Sequence, residues 1–159
     1  MPIPFRRKPN RLPLAHYTHH AAYSVTIASA ERQEVFADEA LVQGCLAELR
    51  AASETEGFEV LAYCFMPDHV HLLLAAEEGG FLPDFVKRFK QTTGFAYKRR
   101  TGGALWQKSY FDHVLRREEE VIVVARYIFG NPVRAGLVAE AKDYPFSGSF
   151  AWGRDVLEA

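Results

Sequence analysis

Apolar runs and short polar breaks alternate along the chain, and the spacing of the apolar residues separates strands from helices. Strand-like runs occupy residues 23–28, 58–66, 69–76 and 110–115. Apolar residues recur at helical spacing over residues 37–53, 82–100 and 118–129. The first of these helices carries its apolar positions at Ala40, Leu41, Cys45, Leu46 and Leu49. The predicted order of elements is β-α-β-β-α-β-α.

This order indicates an α+β fold, a ferredoxin-like sandwich in which β-α-β-β-α-β forms one antiparallel sheet with two crossover helices behind it. The additional C-terminal helix is then free to cover the other face. Residues 1–20, with four prolines and several Arg and Lys, are predicted to be an irregular basic arm. Residues 21–138 are the expected core, and residues 139–159 are predicted to lie on the surface as a tail without regular structure.

Length and composition narrow the class of protein. A chain of 159 residues with 48% hydrophobic residues is expected to form one domain with an ample core. We find no apolar stretch near the ~18 residues of a membrane span and no signal-peptide pattern at the N-terminus. Cys45 and Cys64 are isolated in sequence, which favours reduced thiols used as core filler. We therefore expect a cytoplasmic protein with no membrane partner.

Two histidines two residues apart are the most informative chemical signal. On a strand, His69 and His71 point from one face while Val70 points from the other, and the two imidazoles can converge on one divalent ion. The alternative is a pair of structural histidines, each hydrogen-bonded to its own polar partner. An open site with oxygen ligands fits better than a closed zinc site, because neither cysteine has CxxC spacing.

A net charge of −1 hides a strongly basic stretch. Residues 82–117 contain nine Lys or Arg against two Asp, and aromatic residues are interleaved with them. This mixture suits single-stranded nucleic acid, because phosphates attract the cations and unstacked bases stack on the rings. The alternative to DNA binding is that the Lys and Arg residues lie on solvated helix faces. For Trp106 and His113 the alternative is a position in the core. The candidate DNA-binding residues are Arg6, Arg7, Lys87, Lys90, Lys98, Arg99, Arg100, Trp106, His113 and Arg116.

The predicted third helix leads to a second group of polar side chains. Tyr127 and Asn131 are four residues apart, so they share a face if the helix continues that far. Pro132 can stop the helix. Taken separately, a tyrosine here fits an amphipathic core position and an asparagine before proline fits a helix terminator. By chemistry alone, Tyr97 and Tyr110 are rival nucleophiles.

Four blocks of sequence together resemble a known family. They are MPDHVH at residues 66–71, LWQ at 105–107, YFDHVLR at 110–116 and YIFGNPVRAGL at 127–137. The blocks follow one another over most of the chain, and they resemble the REP-associated tyrosine transposases. These are single-tyrosine, IS200-like members of the His-hydrophobe-His (HUH) class of DNA-nicking enzymes. The chain would then be a single HUH transposase domain.

The resemblance implies a role for each matching residue. His69 and His71 would be metal ligands, Tyr127 the nucleophile on the C-terminal helix, and Asn131 a third ligand or polar support. The implied cofactor is a divalent metal ion, Mg²⁺ or Mn²⁺. The implied partner is single-stranded or hairpin DNA, bound by a monomer or a homodimer that is nucleoid-associated when on DNA.

The implied reaction is metal-dependent cleavage near hairpin-forming repeats through a 5′-phosphotyrosine intermediate, followed by strand transfer. A different class of function is a non-catalytic module that binds hairpin nucleic acid on the same scaffold. A metal-dependent hydrolase that uses water is a third interpretation, and cleavage would then survive the loss of Tyr127.

Overall fold

A computed structural model describes residues 21–153 of the chain. Its strands and helices are β1 Ala22–Ala28, α1 Glu39–Glu56, β2 Phe58–Met66, β3 His69–Ala76, α2 Leu82–Thr101, β4 Phe111–Leu115, α3 Glu118–Arg134 and β5 Ser147–Gly148. The five strands form one antiparallel sheet in the order β4-β1-β3-β2-β5. The order of the first four is that of a ferredoxin-like sandwich, which confirms the predicted fold.

The two faces of the sheet carry separate apolar layers, because successive side chains of a strand point to opposite faces. Val25 and Leu72 face the layer that contains the buried residues of α1 and α2. Leu73 faces the other layer, where it packs with Ile128 and Phe129 of α3. The third helix therefore covers the face that the two crossover helices leave free, as predicted.

Local chemistry sets the ends of the first helix. Asp38 caps α1, because its side chain accepts hydrogen bonds from the backbone nitrogens of Ala40 and Leu41. The helix consequently begins at Glu39 rather than at residue 37, and Ala40 is exposed. Gly57 ends it in the left-handed region, with φ of 72°.

Helix α3 is longer than the sequence pattern predicts. The predicted end was Phe129, but the helix continues through Asn131 and Pro132 to Arg134. A proline costs most in a helix interior, and here it lies two residues from the end, with its ring buried. The backbone nitrogen of Ala135 still donates to the carbonyl of Asn131. Tyr127 and Asn131 therefore do lie on one helix, four residues apart.

The tail predicted to lack regular structure takes part in the fold as far as residue 153. Ser147–Gly148 forms β5 and pairs with Tyr63 and Cys64 of β2. Tyr144 is buried, and its hydroxyl donates to the carbonyl of Phe65 at 2.5 Å. Without this segment β2 would be an unprotected sheet edge, so the tail covers backbone groups that would otherwise be open to pairing.

Both cysteines are buried and free, which confirms their assignment to the core. Burial raises the pKa of each thiol to about 12. In the described part of the chain, no helix combines the length and the apolar character needed to cross a membrane.

Candidate active site

The histidine pair opens strand β3 directly after the turn at Pro67 and Asp68. Val70 is fully buried in the layer under α1 and α2, so His69 and His71 point to the opposite face, the one that α3 covers. His71 is only 7% exposed, whereas His69 is half-buried. The pair thus lies at the edge of the α3 layer, with His71 more enclosed than His69.

Hydrogen bonds hold the δ nitrogen of each imidazole. His69 Nδ1 donates to Asp68 Oδ1 at 2.6 Å, and His71 Nδ1 lies 2.9 Å from Thr26 Oγ1. With their δ nitrogens held, the two rings direct their ε nitrogens at each other, 3.1 Å apart. The rings meet edge to face, with an interplanar angle of 88°. Such second partners fix the orientation of an imidazole and the tautomer it adopts.

Burial keeps both imidazoles neutral near pH 7. It is the largest cause of the lowered pKa of His69, and the carboxylate of Asp68 offsets it only in part. Burial, followed by the charges of His69, Arg134 and Arg32, lowers the pKa of His71 to about 3. A neutral imidazole has a lone pair available to a metal ion, so neither ring has to lose a proton before it can bind one.

The spacing of the ε nitrogens fits a shared divalent ion. Two nitrogens each ~2.1 Å from one ion subtend about 95° when they are 3.1 Å apart, close to the angle between neighbouring ligands in an octahedron. Over residues 21–153, His, Cys, Asp and Glu form no group of three around a possible ion. Any further ligand from this part of the chain would have to be of another type, such as the amide oxygen of Asn131.

Arg32 extends the hydrogen-bonded chain behind His69. Its Nε lies 3.1 Å from Asp68 Oδ2, so the same carboxylate joins a guanidinium and an imidazole. Glu31 and Arg32 both have φ of 55°, a left-handed conformation that non-glycine residues adopt at a cost. This turn directs Arg32 toward Asp68.

Sequence reasoning missed these supporting residues. Asp68 was visible as the neighbour of His69, but Thr26 lies 45 residues from His71 and becomes its partner only through strand register. No local pattern identifies such a partner. The signal that could have found it is the pairing of β1 with β3, which places Thr26 directly opposite His71.

The path of α3 carries Tyr127 and Asn131 over the face that holds the histidines. The helix follows β4, whose Leu115 pairs with Ala22 at the start of β1, whereas His69 pairs with Ala28 at the end of β1. The helix packs along β2 and β3, so its C-terminal half approaches the histidine end. In agreement, the Arg134 charge acts on His71.

The predicted DNA-binding residues fall in several places. Lys90, Lys98 and Lys108 line a groove between α2 and the loop that precedes β4, which we call the lysine groove. Lys90 Nζ donates to the carbonyl of Gln107 at 2.7 Å, and the nitrogen of Gln107 donates to Ala28, the residue paired with His69. The lysine groove therefore adjoins the histidine end of the sheet.

The remaining cations on α2 are partly engaged. Lys87 and Arg88 line a different groove, where Arg88 forms an ion pair with Glu56 at 2.8 Å. Arg99 lies over the ring of the exposed Phe95, 5.7 Å from its centroid, and Arg100 lies 3.7 Å from the carboxylate of Asp38. These residues are not gathered at the histidine pair.

Four further candidates lie elsewhere in the chain. Arg116 follows β4 at the end of the sheet opposite to the histidines. His113 is half-buried on β4 and paired with Ser24, on the sheet face that α3 covers. Arg6 and Arg7 lie outside the described residues.

Trp106 is a core residue, which corrects its assignment to base stacking. The ring packs against Phe36 and Phe89, with centroid distances of 5.4 and 5.7 Å, and its indole nitrogen donates to Thr93 Oγ1 at 2.8 Å. A ring that is 9% exposed cannot stack on a base without opening the core. The alternative of a core anchor is the correct one.

Comparisons with known proteins agree with this architecture. A model of the family described as "Transposase IS200 like" matches residues 17–131. A Haemophilus influenzae protein, provisionally named a REP-associated tyrosine transposase, is 27% identical over 153 residues, which cover 88% of this chain and 84% of that protein. The REP-associated tyrosine transposase of Escherichia coli K12 is 30% identical over 103 residues, 62% of this chain and 57% of that protein.

A solved structure gives the same result for the fold. The structure of a REP-associated tyrosine transposase bound to a REP hairpin superposes with a TM-score of 0.65 and 20% identity. The superposition covers 89% of this chain and 82% of that chain. Fold and relatives together define an enzyme of the tyrosine transposase class. The chain belongs to the IS200-like transposase family.

Proposed function

We propose that this transposase is a metal-dependent endonuclease and strand transferase for single-stranded DNA, which cuts beside hairpin-forming repeats through Tyr127. The observation that carries the proposal is that the neutral imidazoles of His69 and His71 converge on the sheet face that α3 crosses. Each imidazole is fixed by a hydrogen bond at its δ nitrogen, and α3 carries Tyr127. Relatives named for REP sequences, one of them solved with a REP hairpin, support hairpin DNA as the partner.

Tyr127 is the tyrosine best placed to act as nucleophile. Of the other tyrosines in the described part, Tyr23, Tyr63, Tyr97 and Tyr110 pack into the layer under α1 and α2. Tyr144 packs under α3, with its hydroxyl bonded to a backbone carbonyl. Tyr127 belongs to neither apolar layer and is half-buried. This argues against the rival nucleophiles Tyr97 and Tyr110.

The proposed step forms one bond to phosphorus and breaks another. The phenol oxygen of Tyr127 gives up its proton and attacks phosphorus, the bond to the 3′ oxygen breaks, and that oxygen takes up a proton. The products are a 5′-phosphotyrosine and a free 3′-hydroxyl. Because the new linkage is still a phosphodiester, a second 3′-hydroxyl can reverse the step on another strand without an external energy source.

His69, His71 and the amide oxygen of Asn131 are the residues that would hold a divalent ion, Mg²⁺ or Mn²⁺. When bound there, such an ion would supply charge stabilisation for the phosphate oxygens as the phosphodiester is broken. Asp68 and Thr26 keep the ε lone pairs of the histidines directed into the site. Electrostatic attraction from the adjoining lysine groove would hold the DNA backbone near the site.

We also propose that Tyr127 acts within its own chain. Val124, Ala125, Ile128 and Phe129 of α3 are buried against the sheet of the same molecule, so this face of the helix is already packed within one chain. This supports a functional monomer. Mixing the Tyr127→Phe and His69→Ala variants should then restore no cleavage, whereas recovered cleavage would indicate a homodimer that exchanges α3.

The proposal is tested on a denaturing gel with labelled single-stranded hairpin DNA and Mn²⁺ or Mg²⁺. Wild type should give a labelled protein adduct that disappears in Tyr127→Phe and in His69→Ala. Tyr97→Phe is the matched control and should retain the adduct. Binding of a hairpin panel with no adduct would favour the non-catalytic module. Cleavage that persists in Tyr127→Phe would favour a hydrolase.

A further inference from the structure

Arg134 folds back along α3 and covers the ring of Tyr127. The two residues are seven positions apart, which is two helical turns, so their side chains lie on one face of the helix. The guanidinium carbon is 3.8 Å from the centroid of the Tyr127 ring. Arg134 Nη2 also donates to the backbone carbonyl of Tyr127. Arg134 therefore contacts the ring face and the backbone of Tyr127 and does not contact its hydroxyl, the group that would react.

Gly130 lies between the two residues and leaves room for this contact. A β carbon at Gly130 would lie 2.9 Å from Arg134 Nη1 and 3.9 Å from its guanidinium carbon, with no other contact within 4 Å. Gly130 is not among the positive-φ glycines, so the backbone does not require it. Glycine weakens a helix interior relative to alanine. The folded-back Arg134 is thus the contact that a larger residue would disturb.

The guanidinium also lies at the C-terminal end of α3, in the half of the helix that approaches the histidine end of the sheet. Arg134 therefore holds the Tyr127 ring in the part of α3 that lies toward His69 and His71.

We propose that Arg134 is a positioning residue that fixes the side-chain rotamer of Tyr127. Gly130, which has no side chain, leaves the space that this contact needs. The proposal rests on the proposed role of Tyr127 as nucleophile. A half-buried tyrosine on a helix has more than one staggered rotamer available. A guanidinium stacked on one of them raises its population before DNA binds, so a larger share of molecules presents the phenol oxygen in one place.

The contact itself can be observed without DNA or metal. In an NMR spectrum, stacking on the ring should shift the Arg134 side-chain Nε–H proton upfield, out of the ordinary arginine range. The shift should persist in Tyr127→Phe, which keeps a ring, and should be lost in Tyr127→Leu. Gly130→Ala should also remove it, because the added methyl displaces the guanidinium. An ordinary arginine shift in wild type would overturn the proposal.

The consequence is measured as the single-turnover rate of adduct formation at saturating hairpin DNA. Arg134→Met and Gly130→Ala should each lower the rate about two- to five-fold, the population change that ~0.5–1 kcal/mol gives for an exposed cation–π contact. The double variant should be no slower than either single one, because both remove the same contact. Hairpin affinity should be unchanged.

Arg126→Met is the matched control. Arg126 is exposed on the same helix, directly before Tyr127, and its loss removes the same charge without the stack. It should leave the rate unchanged. Gly130→Ala should also preserve or raise Tm, because alanine is the better helix former, and this separates positioning from stability.

Two results would contradict positioning: rate losses that add in the double variant, or an unchanged rate when the NMR shift has disappeared. A failure of the proposed function has a different signature, since adduct formation would then survive Tyr127→Phe while the NMR result stands independently.

Discussion

Lowering the pH from about 7 to about 5 should destabilise the metal-free protein, with His71 as the principal cause. Burial, followed by nearby positive charges, lowers the pKa of this imidazole to about 3 in the folded chain. In the unfolded chain a histidine has a pKa of ~6.5. Below that value the unfolded state binds a proton that the folded state does not. The free energy of unfolding therefore decreases as the pH is lowered.

The magnitude follows from the two pKa values. The loss approaches ~1.4 kcal/mol per pH unit below the unfolded pKa, which amounts to about 2 kcal/mol between about pH 7 and about pH 5. Solvent screening reduces this little, because His71 is only 7% exposed. For a chain of 159 residues, the loss corresponds to a fall in Tm of about 4–8 °C.

Two other groups also make the free energy of unfolding depend on pH. His69 contributes less than His71 over the same pH range, and Asp68 contributes at lower pH. The lowered pKa of His69, caused mainly by burial, adds a loss of the same sign. At Asp68, burial favours a higher pKa, but the hydrogen bond from His69 and the charges of His69 and Arg32 outweigh it, so the pKa lies below 3.8. Its contribution is present above that value and is lost only in stronger acid.

The assay is thermal and urea unfolding followed by circular dichroism, in chelator, at a series of pH values. His71→Gln keeps an amide that can bond to Thr26 but does not titrate, so it should lose less stability than wild type on acidification. His113→Gln is a control for the replacement of a histidine outside the pair. Identical pH dependence in wild type and His71→Gln would refute the assignment of the loss to this imidazole.

Three further outcomes are expected. Thr26→Val should weaken Mn²⁺ binding in calorimetry about 10- to 100-fold, because the His71 imidazole loses the hydroxyl that orients it. Ser24→Ala is the control and should leave the affinity unchanged, because the buried Ser24 hydroxyl has no hydrogen-bond partner among the described residues. Lys98→Gln should reduce the salt dependence of hairpin binding by about one unit of slope, and Lys87→Gln, in the other groove, should change it less. Asp38→Ala should cost ~1 kcal/mol of unfolding free energy in urea titrations, and no loss would contradict its role as a cap.

Elements with strong local patterns were predicted almost to the residue. The hairpin strands have the bounds expected from their apolar runs, and α2 ends at Thr101 because Gly102 follows in the left-handed region. The errors have non-local causes. Pro132 remains inside α3 although proline usually stops a helix, and the tail forms β5 because β2 has an edge to cover.

The sequence by itself determined the order of elements and the common face of His69 and His71. These properties follow from the periods of strands and helices, which neighbouring residues set. The tertiary structure alone decided that Thr26 holds His71, that α3 lies over the histidine face, and that Trp106 is inside. Such contacts join segments far apart in the chain, and they depend on strand register and packing, which local spacing does not specify.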